Sequence, residues 1–548
     1  MKSLFFYLIF ALIFIASCKQ DPEILPLTNV YIETVTINGN SVYTGRSVYN
    51  VPVDSVVIRV NFSSAIDKKK LDPSKFFISN NIDTAIVIAT DTAAKQLTFK
   101  IRKTLSYYTS YTLFMAEGEN LGVKLIDSYD FSFVTELDPT PKFPVISDDS
   151  LLTLVQQKTF DYFWNYAHPA SGMARERLGS GDIVTFGGTG FGIMTIPVAI
   201  ERGFITRAQG LERMNKMIHF LNLPTTDKFH GAFPHWMNGT TGKVIPFGTK
   251  DNGADLVETA FFIQGLLTVQ SYFKNGNAAD KAMCDNIQTL WENVEWTWFQ
   301  KNNEQKLYWH WSPTYNWDMN MPVTGWNEGL IIYVLAASSP THAISKSVYD
   351  NGWARNGAMK NGKIFYNITL PLGEDRGGPL FFTHYSFLGL DPRNLSDTYA
   401  NYWTQNTAHA RINYNYCVAN PRGNYGYGPD CWGLTASDIQ NGYTASSPNN
   451  DRGVIAPTAA LSSFPYTPEE SMRALHFFYY TLGDKIWGEY GFKDALNLNT
   501  RWFASSYLAI DQGPIVVMIE NHRTGLLWNL FMQNQNVQAG LTKLGFKY

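Results

Sequence analysis

The chain has 548 residues, of which 45% are hydrophobic and 17% charged, and a formal net charge of −3. This suits a large globular protein and leaves no basic footprint for nucleic acid. Aromatic residues reach 15%; a core accounts for many, and the rest stand in loops beside Gly, Asn and Asp, where a ring with polar edges can carry a flat, hydroxylated ligand such as a sugar.

At the N-terminus, Lys2 precedes an apolar run from Leu4 to Ile15 and small residues before Cys18. The run is too short to span a membrane and matches a secretory leader. Ile15-Ala16-Ser17-Cys18 resembles a bacterial lipobox, which predicts removal of residues 1–17 and lipidation of Cys18. The expected location is the outer membrane of a Gram-negative bacterium, facing the periplasm or the surface, with the lipid as the only membrane contact. Ordinary signal cleavage is the alternative. Among the other cysteines, Cys417 and Cys431 form the one close pair, and export permits a disulfide between them. Their spacing fits no zinc pattern, so no metal site is expected.

Residues 22–137 alternate short β-rich runs with turn signals: VYIETVTI, DSVVIRVNF, TAIVIA, KQLTFKI, TSYTLFMA and SYDFSFVT. This predicts a small β-sandwich. Its VNFSSAIDKKKLDPSKFFI and closing YDFSFVTE resemble bacterial Ig-like domains, and no catalytic cluster falls within it. ELDPTPKFPVISDD, at 136–149, reads as a linker.

From 150 to 548 the pattern is helical. Amphipathic segments such as LLTLVQQKTFDYFWNYA alternate with six more apolar ones: GGTGFGIMTIPVAI, DNGADLVETAFFIQGLL, GWNEGLIIYVLAA, PLFFTHYSFLGL, GVIAPTAALSSF and QGPIVVMIENHRTGLLW. A helix that is apolar all round is surrounded by other helices. Six such helices inside an amphipathic ring predict an (α/α)6 toroid, mainly α, carrying the all-β Ig-like sandwich at its N-terminus. Polar residues concentrate near the start of each apolar segment, so a toroid gathers them at one mouth. Asp251, Asp255 and Glu258 fall at i, i+4 and i+7, the spacing of one helical face.

DNGADLVETAF, TGWNEG, FFTHYSFLGLDPR, WGLTASD, IAPTAALSSFPYTPEESM and YLAIDQGPIVVMIEN together resemble glycoside hydrolase family 144, whose catalytic domain is often labelled glucoamylase-like. The resemblance covers essentially all of 150–548. It implies an (α/α)6 fold, inverting chemistry, and β-1,2-glucan as the substrate, with endo-acting members and exo-acting members that release sophorose. The family's acidic motif maps onto Asp251, Asp255 and Glu258.

Inverting hydrolysis needs a protonated carboxyl for the leaving oxygen and a carboxylate to activate water from the opposite face, and needs no cofactor. Glu328, in TGWNEG, is the expected general acid. Asp511, in AIDQGP and across the ring, is the expected base, while Asp251, Asp255 and Glu258 bind hydroxyls and tune Glu328, or supply the base instead. Expected substrate contacts are Trp326, Asn327, His384, Tyr385, His235, Trp236, Arg175, Arg177, Tyr443 and Asp451. Glu520 lies too far down its helix to reach the mouth. A polysaccharide lyase on the same toroid, or a glycan-binding lipoprotein that does not cut, are the competing readings. The acids disfavour the first, because a lyase must neutralise a uronate, and the second leaves them unexplained. A monomer is expected, and the Ig-like module, set on a short Pro-rich linker, favours end-on release of sophorose over internal cleavage.

Overall fold

The computed structural model describes residues 26–79 and 95–548. Cys18 with its leader and the run at 84–89 lie outside the described residues. The chain divides into two compact units, the second beginning at Pro139.

The first unit is built on two four-stranded sheets. Asn40–Val42, Ile32–Ile37, Val57–Phe62 and Gln96–Lys100 form one, antiparallel throughout. Val48–Val51, Tyr129–Thr135, Ser110–Met115 and Phe76–Ile78 form the other, in which Val48–Val51 runs parallel to its neighbour. In Val57–Phe62 the side chains of Ile58, Val60 and Phe62 are buried and Arg59 is exposed, the period-two pattern of a strand with one face inward. Inward residues of both sheets share one core.

In chain order the second unit forms α1 (Asp148–Trp164), α2 (Phe186–Glu201), α3 (Arg207–Leu221), α4 (Leu256–Phe273), α5 (Ala278–Glu292), α6 (Leu330–Ser338) and α7 (Lys346–Val348). There follow α8 (Tyr402–Ala419), α9 (Pro457–Leu461), α10 (Pro468–His476), α11 (Gly483–Ile486), α12 (Ala509–Arg523), α13 (Leu526–Met532) and α14 (Gln535–Leu544). Outer helices start at good caps: Thr206 with Gln209 closes a capping box on α3, and Asn277 with Asp280 does so on α5. The inner helices α2, α4, α6 and α12 are buried on nearly every side, and the unit is an (α/α)6 toroid.

Two inner elements are less helical than their sequences predict. PLFFTHYSFLGL forms two 3₁₀ turns, Leu380–Thr383 and Tyr385–Leu388. Long-range bonds replace helical ones there: Gln264 Nε2 donates to the Tyr385 carbonyl at 3.0 Å, and Ser386 Oγ donates to the Glu328 carbonyl. GVIAPTAALSSF keeps only the short α9, since Pro465 disfavours helical geometry at Phe464. The Pro-rich stretch before α1 is tied to the toroid over residues 142–146. Lys142 N–H donates to the Tyr480 carbonyl at 2.8 Å, Ile146 N–H donates to the Tyr480 hydroxyl at 3.1 Å, and Phe143 packs on Tyr479. Cys284, Cys417 and Cys431 are buried free thiols. No helix among the described residues is long and apolar enough to cross a membrane.

The ring closes because α2 and α4 meet backbone to backbone. A Cβ on Gly190 would lie 2.3 Å from the Phe261 carbonyl oxygen, and one on Gly265 would lie 2.2 Å from that of Gly190. Neither obstacle is a side chain that could swing away. Gly190→Ala is therefore expected to destabilise the toroid by on the order of 3 kcal/mol in urea unfolding, the upper end for overpacking. Gly428→Ala, whose Cβ would meet nothing nearer than 3.9 Å, should stay within about 0.5 kcal/mol of wild type.

Candidate active site

Asp251, Asp255 and Glu258 converge, but not along one helical face. Asp251 lies in a turn closed by its N–H to the Gly248 carbonyl, Asp255 is the N-cap of α4, and only Glu258 is in the helix. A two-residue ladder pairs Ala254–Asp255 with His310–Trp311 and carries Trp309 and His310 to the same place. One Asp255 oxygen accepts the N–H groups of Val257 and Glu258, both at 2.9 Å. The other accepts from His235 Nδ1 at 3.0 Å and Trp309 Nε1 at 3.1 Å. Burial opposes a charge here, yet the bond from His235 and the nearby imidazoles hold Asp255 below the usual carboxylate range. Burial also opposes the charge on His235, and the carboxylates of Glu258 and Asp255 overcome it, raising His235 to about 9. His235, Asp251 and Asp255 bring possible ligand atoms within 4.8 Å of one another. Both Asp255 oxygens already take two donors each, so this group is wired for protons rather than for a cation.

Glu258 receives the Gly187 N–H from the first turn of α2 at 2.6 Å and the Thr185 hydroxyl at 3.0 Å. Burial, then the charge of Asp255, raises its proton affinity despite these donors. Glu328 stands in the turn before α6, 8% exposed, and its carboxyl meets only its own backbone amide among the described residues. Burial, followed by the charges of Asp255 and Glu258, pushes Glu328 up to about 7. Asp251 also reaches about 7, through burial and the charge of Asp255.

Glu258 and Glu328 both open onto a cavity of about 390 Å³ whose walls include Arg177, His235, Tyr385 and Tyr443, with Trp236, Phe247 and Trp309 as aromatic faces. Past Arg177 and Tyr443 the depression continues along Trp502 and Ser506; past His235 and Phe247 it continues along Asp251, His310 and Met321. Asp511 sits one layer back. It is 1% exposed, accepts from the Tyr385 hydroxyl at 3.4 Å, and is held well above the carboxylate range by burial and by Asp494.

Of the expected substrate contacts, His235, Trp236, Arg177, Tyr385 and Tyr443 line the cavity, and five others do not. Trp326 is buried against Tyr402 and Trp353, and Asn327 accepts the Gly329 N–H at 2.8 Å. His384 bonds Ser463 at 3.0 Å, and burial pushes it down to about 3, so its ring is neutral. Arg175 donates to the carbonyls of Gly181 and Tyr166. Asp451 accepts from the Tyr416, Tyr427 and Asn424 side chains. All five satisfy the fold around the cavity. Glu520, at the far end of α12, is held by Arg202 at 2.8 Å and Gln156 at 2.9 Å. Trp309, His310, Phe247, Glu176 and Asp494 escape a reading of the sequence. LYWHWSP, with three aromatic residues around one histidine, is the only local signal for the first two.

A toroid with acids gathered in its mouth is the architecture of a glycoside hydrolase. The family described as "Putative glucoamylase" matches residues 320–535, and a bacterial Ig-like domain matches residues 28–135. A "putative glucoamylase" of Bacteroides uniformis is 57% identical, with a TM-score of 0.73, covering 74% of this chain and 99% of that one. An endo-β-1,2-glucanase of Chitinophaga pinensis, solved with sophorotriose and glucose, is 54% identical, with a TM-score of 0.72 over 74% and 99% of the two chains. An exo β-1,2-glucooligosaccharide sophorohydrolase of Parabacteroides distasonis is 45% identical over 460 residues, 79% of this chain. The match spans 63% of that relative's length. The chain belongs to the glucoamylase-like glycoside hydrolases of family 144.

A carboxyl raised on folding has a calculable effect on stability. With Glu328 near 7 in the fold and about 4.3 unfolded, the native state binds the extra proton between those values, so this group's contribution falls as pH rises through that window. Glu328→Gln removes the penalty. It should match wild type in urea unfolding at pH 4 and exceed it by on the order of 3 kcal/mol at pH 8.

Proposed function

We propose that this protein hydrolyses β-1,2-linked glucan with inversion at the anomeric carbon. The observation that carries the reading is Glu328: buried, facing the cavity, and proton-bearing near neutral pH. A general acid must hold its proton until the leaving oxygen needs it, and a pKa near the working pH suits that task. Glu328 delivers the proton to the glycosidic oxygen as the C1–O bond breaks. Water attacks C1 from the opposite face, passing its proton through the Tyr385 hydroxyl to Asp511. The relay accommodates Asp511 standing behind the wall rather than in it. Arg177 and protonated His235 are placed to bond sugar hydroxyls, and Trp236, Phe247, Trp309 and Tyr443 offer stacking faces. The names of the C. pinensis and P. distasonis relatives support β-1,2-glucan as the substrate.

The depression continues in both directions beyond the carboxylates, which favours cleavage within a glucan chain. Release of sophorose from an end is the second reading, carried by the P. distasonis relative's name. It requires one of these directions to be closed.

On linear β-1,2-glucan the wild type should generate new reducing ends, first as a spread of oligosaccharides; sophorose alone from the earliest times would establish the second reading. Glu328→Gln should lose about 10²–10⁴-fold in kcat while still binding oligosaccharide. Near-normal turnover would place the acid elsewhere.

We also propose that lipid on Cys18 holds the protein at the outer membrane, as the residues before it suggest. Cys18→Ala should move the protein from the membrane to the soluble fraction with its specific activity unchanged. Equal retention of the variant would contradict the anchor.

A further inference from the structure

The carboxyls of Asp494 and Asp511 are neighbours, placed to share a hydrogen bond. Both are buried, at 2% and 1% exposure. Asp494 Oδ2 accepts the Asp438 N–H at 2.6 Å, and Asp511 Oδ1 accepts from Tyr385. The remaining oxygens, Asp494 Oδ1 and Asp511 Oδ2, find no donor in any other described residue. Two ionised carboxylates only accept, so a bond between them requires a proton. Among the described residues Arg177 is the cation whose charge reaches Asp494, and its guanidinium bonds to other carboxylates. Asp438 and Tyr443 face the pair from the 436–445 hairpin and Tyr385 from its 3₁₀ turn, while Arg177 is engaged by Glu176 and by Asp438 at 3.1 Å.

We propose that Asp494 is a positioning residue for the hydrolytic reaction: it shares a single proton with Asp511, so that the pair, carrying one negative charge, acts as the base through Asp511 Oδ1. This rests on the reading of Asp511 as the acceptor of the water's proton. As Tyr385 passes a proton to Asp511 Oδ1 and takes one from water, the proton already shared moves fully onto Asp494. Both carboxyls end neutral. The hydroxide forms the new C1–O bond, Glu328's proton goes to the leaving oxygen, and exchange with solvent resets the pair and Glu328. Without that bond from Asp494 an isolated, buried Asp511 would already hold its own proton at the working pH and could accept none.

A merely structural Asp494 would support the hairpin through the Asp438 N–H and leave the pH dependence alone. The decisive variant is Asp494→Asn, whose amide can donate to Asp511 Oδ2 without any shared proton. Asp511 then loses the stronger bond from a protonated Asp494, and as a lone buried carboxylate it takes up its proton at higher pH. The acidic limb of kcat/KM should move up by about one pH unit or more, and kcat at neutral pH should fall at least about tenfold, with KM for oligosaccharide little changed. An acidic limb that stays in place in a folded Asp494→Asn protein overturns the proposal. Should that variant not fold, the infrared difference between wild type and Asp511→Asn at pH 7 decides. It should contain the C=O stretch of a protonated carboxyl, and absence of that band overturns the proposal. Failure of the underlying reading looks different: full activity of Asp511→Asn would remove Asp511 as the base, whatever the infrared spectrum says about the pair.

Discussion

Carboxylates held together out of water, at the N-terminal ends of helices that line a ring, are the constraint on which the toroid's other features depend. Each is relieved in its own way. Asp255 takes four donors and keeps its charge. Glu258 draws on the amide of Gly187 at the start of α2, where the helix dipole favours an anion. Glu328 has no such donors among the described residues beyond its own amide and keeps its proton to about 7. Around one cavity, therefore, a charged carboxylate at Asp255 stands behind the wall and raises the proton affinity of Glu328 at its surface. The arrangement tolerates some instability in a ring whose other contacts supply it.

Packing and chemistry meet at the glycines of α2. Gly190 brings α2 against α4, and Gly187 lets the Glu258 carboxylate approach; a Cβ on Gly187 would lie 2.8 Å from both its oxygens. The same run of small residues that allows the helices to touch thus sets the position of an acid. A larger residue at Gly187 would displace the carboxylate that α2 and Thr185 hold.

The sequence makes the plan of the molecule legible because inner helices have no polar face, and period-two burial marks the Ig-like strands without help from distant residues. The irregular inner elements are not legible, since Gln264 and Ser386, which unwind the region around Tyr385, find partners far away in the chain. Asp251, Asp255 and Glu258 are recognisable as a group. Their geometry is not, because a turn, a cap and a first helical turn can share the spacing of a helical face. Trp326, His384, Arg175 and Asp451 show the complementary difficulty: residue types that bind sugars also satisfy buried backbone and fill cores. Trp309 and His310 reach Asp255 only through a ladder across more than 50 residues, and no local pattern announces that pairing.

Hydrolysis here depends on where a substrate's scissile bond lies relative to Glu328, and a crystal structure of Glu328→Gln with a linear β-1,2-gluco-oligosaccharide measures this directly. It should place a glycosidic oxygen about 2.6–3.2 Å from the side-chain amide at position 328. A water should lie on the opposite face of the anomeric carbon, within reach of the Tyr385 hydroxyl. An oligosaccharide whose linkages all lie away from position 328, or a carboxylate of Asp251, Asp255 or Glu258 at the glycosidic oxygen in its place, would contradict the assignment.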